Sequence, residues 1–315
     1  MDNSASTKQA FEERPDSVAE ARFLTQRPEL RSTAYRILGS HWAADDAVQE
    51  AWARLQRTDD AEQIDDVGWW LVVALCRTCI DYLSDGATQF AEPYGVDGAD
   101  SVEDPPSAAW PTDHVVTALA AVLDELDPAE RVSFVLHDFL GQPAERIAPI
   151  VGQSTEAVQQ MIAAVRERVR AVDPIAERER QRTTITTFLR GAQSSDLDAM
   201  LSVLDPEVAL RADTVVVARA AAFADRGAPQ LRSSVQGANE VANVFIGRAP
   251  YGRLAIVDGL MGVAAVFDGG VRAACAIRMR DGRIKQMEVV GEPAILSEMT
   301  VRLPGGDVTD PSTVP

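Results

Sequence analysis

The sequence predicts a multidomain protein: two all-helical blocks followed by a smaller α+β domain. Three observations predict it. Apolar residues recur at helical spacing through the first 172 residues. After Asp173-Pro174 they give way to short strand-like runs bounded by Asp-Gly and Gly-Gly pairs. The stretch 86–112 (GATQFAEPYGVDGADSVEDPPSAAWPT) is rich in Gly, Pro and acid, the composition of a linker. A chain of 315 residues is also long enough for two or three domains.

The first block spans 17–90. In it Ala44, Ala47, Val48, Ala51, Trp52 and Leu55 form one helical stripe, and Asp45, Asp46, Gln49 and Glu50 lie on the other face. A longer, strongly apolar helix is expected over 67–83. The longest apolar run there, 67–76, is ten residues interrupted by Gly68, short of the ~20 that a membrane span needs. An acidic Gly/Pro linker is expected over 91–113, and a second helical block over 114–172. Within it Asp127 is placed as an N-cap with Pro128 at the first helical position. Gly141, Pro143 and Gly152 then punctuate three short helical patterns in 132–169, the grammar of a helix-turn-helix. Residues 173–298 read as helices over 175–193 and 197–204, then strands over 208–217, 254–257, 262–267, 272–279 and 283–290. Asp281-Gly282 is a strong hairpin signal. Helices followed by antiparallel strands indicate an α+β domain. The polar segment 299–315 is expected to be a disordered tail.

Composition is ordinary for a soluble globular protein, 46% apolar and 25% charged. The charge is not. Of the net −18, −16 falls within residues 1–172, the part that holds the helix-turn-helix. Arg and Lys supply nearly all non-specific DNA affinity, so free duplex DNA should be repelled there. The start of the chain shows no basic and apolar leader, and the expected location is the cytoplasm. Cys76 and Cys79 form a C-x-x-C inside an apolar helix, while His41, His114 and His137 are scattered. Buried thiols, not a metal site, are expected. No metal, phosphate-loop or nucleophile motif is visible, and no cofactor is expected.

Tyr35-Arg36-Ile37-Leu38-Gly39-Ser40, then Asp45-Asp46-Ala47-Val48-Gln49-Glu50-Ala51-Trp52, then Trp70-Leu71-Val72-Val73 resemble region 2 of extracytoplasmic-function sigma factors. Leu126-Asp127-Pro128-Ala129-Glu130-Arg131 through Ile147-Ala148-Pro149-Ile150-Val151-Gly152 resembles their region 4. Asp196-Leu197-Asp198 through Leu204-Asp205-Pro206-Glu207-Val208 resembles the SnoaL-like domain fused to one subgroup. The resemblance covers roughly 25–295 in the right order. It implies a region 2 helical bundle, a region 4 helix-turn-helix and a cone-shaped α+β domain. It further implies that region 2 binds core RNA polymerase and melts the −10 element, that region 4 reads the −35 element, and that the fused domain modulates activity. The polymerase-binding face would be Asp46, Gln49 and Glu50.

Departures from the family pattern fall on DNA contacts. The recognition helix is usually studded with Arg, but 154–165 here carries no positive charge. Arg166, Arg168 and Arg170 survive near its end. Gln159 and Gln160 could read adenine edges, although without phosphate clamps such contacts are poorly positioned. At the end of the long region 2 helix, Arg77 is the last basic residue. The fused domain ends in Val290-Gly291-Glu292-Pro293-Ala294 in place of the subgroup's Asn-Pro-Asp or Asp-Pro-Glu motif, which bears on its docking.

SnoaL-like folds elsewhere include small-molecule cyclases and isomerases that use a pocket acid or base. Strand alternation would put Arg211 and Asp213 on one face, Arg272 and Arg278 on one face of a later strand, and Glu288 on the last. An enzyme would turn Asp213, Glu288, Arg211 and Arg278 into a cavity of at least about 300 Å³. A regulatory domain would use them against regions 2 and 4. Three functions follow: an initiation protein working with core polymerase and promoter DNA only within that complex, a scaffold repurposed to bind or convert a small molecule, or a polymerase-binding regulator that reads no promoter.

Overall fold

The computed structural model describes residues 18–58, 64–84 and 113–303. The expected linker lies outside them, except that Asp113 opens a helix, and so do residues 304–315 of the expected tail.

The chain begins with α1 (Val18–Leu38), α2 (His41–Gln56) and α3 (Val67–Ser84). Gly39, at φ +69, turns the chain between the first two. Ser40 then caps α2, its Oγ accepting from Ala43 N at 3.2 Å, which satisfies one of the orphan donors of the first turn. Of the predicted stripe, Ala44, Ala47, Val48, Ala51 and Leu55 are buried, and Trp52 is half-buried and stacked on Phe23. Among the described helices, α3 alone has the length and apolarity to cross a membrane, at 18 residues. Here Leu71, Leu75, Cys76 and Cys79 are buried in the helical core.

Next come α4 (Asp113–Val122), a 3₁₀ turn at Leu123–Glu125, α5 (Pro128–Asp138), α6 (Ala144–Val151) and α7 (Thr155–Ala171). Glu130 Oε2 accepts from Asp127 N at 3.0 Å, so the helix start read from the sequence carries a capping-box contact. Gly152, at φ +69, ends α6 in the left-handed conformation that favours glycine. Ser154 caps α7 through Ala157 N. The two helical blocks share a core, beside a smaller cluster of Leu119, Val122, Leu123, Leu126, Phe134 and Val165 that the second block buries by itself. Val132, Leu136, Ile147 and Val158 join Ile37, Leu71 and Leu75 in one apolar cluster.

The remainder runs α8 (Pro174–Ser194), α9 (Leu197–Val203), β1 (Leu204–Ala212), α10 (Thr214–Ala222), β2 (Ser234–Gln236), α11 (Ala238–Phe245), β3 (Gly252–Val257), β4 (Leu260–Phe267), β5 (Gly270–Arg280), β6 (Arg283–Val290), α12 (Pro293–Glu298) and β7 (Val301–Arg302). They form one sheet in the order β2-β1-β6-β5-β4-β3-β7. β1 pairs parallel to β6, and the other pairs are antiparallel. Asp258-Gly259, Asp268-Gly269 and Asp281-Gly282 all have positive φ at both residues, the hairpin geometry that Asp-Gly favours.

Three expectations need correction. The strand expected over 208–217 stops at Ala212, because the Asp213 carboxylate accepts from Val216 N at 2.6 Å and starts α10. Residues 299–303 are not a loose tail: Met299 is buried, and Val301–Arg302 pairs with β3 at the sheet edge. Arg272 and Arg278 do not share a face. Ala265 pairs with Ala273 but Val266 pairs with Val271, which leaves Arg272 as an extra residue in a bulge that re-aims it.

Candidate functional site

Asp46, Gln49 and Glu50 do lie together on the outward side of α2, but they differ in environment. Gln49 is exposed. Glu50 Oε1 accepts from Arg54 Nε at 3.0 Å and from Arg57 Nη2 at 3.1 Å, so its charge is already neutralised locally. Asp46 is half-buried. Burial and then the like charge of Asp45 push its pKa up to about 6, against the pull of Arg211 from the C-terminal sheet. The first turn of α2 therefore sits under the C-terminal sheet, and its later turns are open.

On the helix-turn-helix, Gln159 and Gln160 are exposed on α7, as is Arg77 on α3. The surviving arginines are engaged differently. Arg166 Nε donates to both Asp138 carboxylate oxygens, at 3.1 and 2.9 Å, and its Nη2 reaches His137 Nδ1. Arg168 Nη1 donates to Glu130 Oε2 at 3.2 Å. Arg170 is exposed. Two of the three cations that could clamp phosphate are thus held by carboxylates of α5.

The four residues singled out for pocket chemistry take other places. Glu288 is 2% exposed and faces the helical blocks. It accepts from Ser40 Oγ at 2.5 Å, His41 N at 2.8 Å and Gln286 Nε2 at 2.7 Å. The same Ser40 that caps α2 thus also donates to the sheet. Arg211, buried beside it, has its pKa lowered by burial, against the opposing influence of Glu288 and Asp46. Arg278 Nη1 donates to the Leu38 carbonyl at 3.0 Å, and its Nη2 binds Asp124. Gly39 makes this approach feasible: a Cβ there would stand 2.9 Å from the guanidinium. Asp213 does not face a pocket at all. Beyond Val216 N, its carboxylate accepts from Gly291 N at 2.6 Å and Glu292 N at 2.9 Å, pinning the end of β6. This is the contact made by the segment that departs from the subgroup motif.

Sequence reasoning missed the junction these residues build. Asp124 joins Arg278 and Lys285 of the sheet to Arg131 of α5. Burial opposes the ionisation of Asp124, but the three cations outweigh it and hold its pKa below the ordinary carboxylate value. Arg131, buried and beside Arg278, drops to about 10 despite Asp124. It also reaches the Ile37 carbonyl at 3.5 Å. The C-terminal carbonyls of α1, where the helix dipole is negative, are thereby met by two cations from different blocks. Close by, Trp42 packs among Ala255, Val257, Ala274, Ala276 and Val290, and His41 stacks on Tyr35 with Nε2 at 3.2 Å from Asp258. Arg31 bridges Asp45 at 2.8 Å and Glu298.

The opposite face of the sheet encloses a cavity of about 350 Å³, walled by α8, α10 and α11 on one side and β4–β6 on the other. None of Asp213, Glu288, Arg211 and Arg278 lines it. The reason is strand alternation: Met287 and Val289 point into the cavity, so Glu288 points away. Cys275 is at the cavity wall, its thiol pushed up to about 12 by burial. Cys76 is raised to about 12 by the same cause in the helical core.

Comparison with known proteins identifies relatives along most of the chain. The family described as sigma-70 region 2 matches residues 23–88. The probable ECF RNA polymerase sigma factor SigI of Mycobacterium tuberculosis is 30% identical over 298 residues, covering 91% of this chain and 97% of that protein. The ECF RNA polymerase sigma factor SigJ of the same species is 30% identical over 297 residues, covering 86% and 91%. The crystal structure of M. tuberculosis SigJ aligns over 88% of this chain and 98% of its own, at 25% identity with a TM-score of 0.42. Matched along nearly its whole length, region 2 and C-terminal domain together, the chain belongs to the ECF RNA polymerase sigma factor family.

Proposed function

We propose that this protein initiates transcription only as part of a complex with core RNA polymerase in the cytoplasm, with polymerase and not the protein's own arginines supplying most of the grip on promoter DNA. The observation that carries this reading is the engagement of Arg166 by Asp138 and of Arg168 by Glu130, beside a recognition helix bare of cations over 154–165. An isolated domain in that state lacks phosphate clamps. Gln159, Gln160, Arg170 and Arg77 remain available for contacts once polymerase positions the duplex. The open part of α2, Gln49 and Glu50 with Asp46 at its margin, is the polymerase-facing surface. The C-terminal sheet, hydrogen-bonded to Ser40 and His41 and salt-bridged to Asp124, acts as a regulatory element that holds the two helical blocks in one arrangement.

The test is co-elution of the full chain with core polymerase in gel filtration, alongside anisotropy of labelled duplex DNA. Wild type should co-elute with polymerase, and a variant with Asp46, Gln49 and Glu50 all replaced by Ala should fold but elute alone. Duplex binding by the chain alone should be undetectable at physiological salt. Failure of wild type to co-elute would sink the reading, and sub-micromolar duplex binding without polymerase would overturn its DNA half. Co-elution without promoter-dependent transcripts would favour a regulator that occupies polymerase without reading promoters.

A further inference from the structure

The cavity in the C-terminal domain has a chemical character at odds with the rest of the chain. The protein carries a net charge of −18, yet three arginines, Arg219, Arg226 and Arg272, line this cavity with a single carboxylate, Asp268; Arg226 and Asp268 are exposed, and Arg219 and Arg272 are half-buried. Among the described residues none of the three arginines pairs with an acid. Arg219 Nη1 donates to the Arg272 carbonyl, and the Arg226 guanidinium lies over the Phe223 ring, 5.2 Å from its centroid. The bulge in β5 is what turns Arg272 to this side. Behind the cations the wall is apolar and rich in rings: Phe188, Phe223, Phe245, Tyr251 and Phe267. At about 350 Å³ the space falls at the lower end of the ~300–1,000 Å³ typical of small-molecule sites.

We propose that this cavity is a binding site for a compact apolar carboxylic acid, whose ring or chain fills the aromatic interior while its carboxylate meets Arg226 and Arg272. The two halves of the site require each other. Guanidinium forks match a carboxylate bidentately, which favours an anion. The interior offers few polar partners, so a second charge or a sugar placed there would lose hydration without replacement. A nucleotide or a nucleic-acid strand is therefore excluded on size and polarity, and a small monoanion with an uncharged body is selected. The same strand that lines the site with Met287 and Val289 presents Glu288 to Ser40 and His41, so an occupant lies one residue's alternation from the contact that docks the sheet on α2.

Calorimetric titration of the full chain tests this with three probes: 1-naphthoate, decanoate and the uncharged 1-naphthalenemethanol. At least one acid should bind saturably at one site per chain, and the alcohol at least about tenfold more weakly than naphthoate, the difference one charge-assisted hydrogen bond makes. Preference for naphthoate over decanoate identifies a ring-bearing acid, and the reverse an acyl chain. Arg226→Gln with Arg272→Gln should weaken the acid about tenfold or more and leave the alcohol unchanged. Arg219 is left intact because it secures β5. Ala265→Leu, which fills the cavity from β4, should remove binding of all probes while the chain keeps its melting transition. Equal affinity for acid and alcohol, no binding of either acid up to millimolar concentration, or binding that survives Ala265→Leu would each overturn the proposal. None of these outcomes touches the polymerase reading, which has its own readout.

Discussion

Replacing Glu288 by Gln tests whether one buried carboxylate holds the C-terminal sheet on the helical blocks. Glu288 is 2% exposed and accepts three hydrogen bonds, two of them from Ser40 and His41 at 2.5 and 2.8 Å. Glutamine is nearly the same shape, so packing is preserved. It has one acceptor oxygen where the carboxylate has two, so either the Ser40 hydroxyl or the His41 amide is left facing an NH₂ group. A hydrogen bond to a charged group contributes about 1.5–3 kcal/mol. The change also leaves Arg211, 3% exposed, with only half-buried Asp46 as a nearby negative charge. Removing one partner of a buried charge pair costs about 3–5 kcal/mol. Glu288 and Arg211 are coupled through space and not in direct contact, and Asp46 remains, so the expected loss is at the lower end, about 3 kcal/mol. Urea denaturation followed by tryptophan fluorescence measures it, since Trp42 is buried on the same face of the sheet. Ser40→Ala in the Glu288→Gln background should then cost less than it does in wild type, giving a coupling of at least about 1 kcal/mol. A loss under about 1 kcal/mol, or strictly additive single changes, would refute the reasoning.

Two further outcomes follow from the same junction. Asp46 titrates at about 6 in the folded chain against an ordinary 3.8, so the folded state holds this proton more tightly than the unfolded state. Stability should therefore fall as pH rises through that window and stay lower above it. Asp46→Asn should melt higher than wild type at pH 7.5 and at the same temperature near pH 3, below the ordinary value of 3.8; an unchanged or lower melting point at pH 7.5 would contradict this. Gly39→Ala places a Cβ 2.9 Å from the Arg278 guanidinium at φ +69, where an L-residue is disfavoured by about 1–2 kcal/mol. It should lower the melting point, and the loss should shrink in an Arg278→Ala background, where only the backbone strain remains.

Much of the fold was legible because local chemistry decides it. The stripe through Ala44, Ala47, Val48, Ala51, Trp52 and Leu55 faces inward as its helical period required, with only Trp52 left half-buried. Asp127-Pro128 begins α5, Gly152 closes α6, and the three Asp-Gly pairs each make a hairpin turn. Interactions of this kind lie within four or five residues of chain. The short pieces were less legible: β2, α11, α12 and β7 carry too few residues for a period to show. The strand ending at Ala212 was overrun because nothing local distinguishes an Asp that caps a helix from an Asp on a strand face.

The candidate site divides along the same line. The sequence by itself determined which residues carry charge, that α7 is bare of cations over 154–165, and that Asp46, Gln49 and Glu50 share the side of α2 away from its apolar stripe. Only the tertiary structure decided what those charges meet. Arg166 finds Asp138 across 28 residues, Arg278 finds Asp124 across 154, and Glu288 finds Ser40 across 248. The sequence places Glu288 on the last strand as a candidate for a pocket, but which face of the sheet encloses a cavity and which docks on helices is a property of how the sheet packs. A bulge of one residue sent Arg272 to one side and Arg278 to the other. Coulomb and hydrogen-bond energies depend on distance in space, and distance in space between residues far apart in the chain is set by the packing of whole elements, which a pattern along the sequence does not encode.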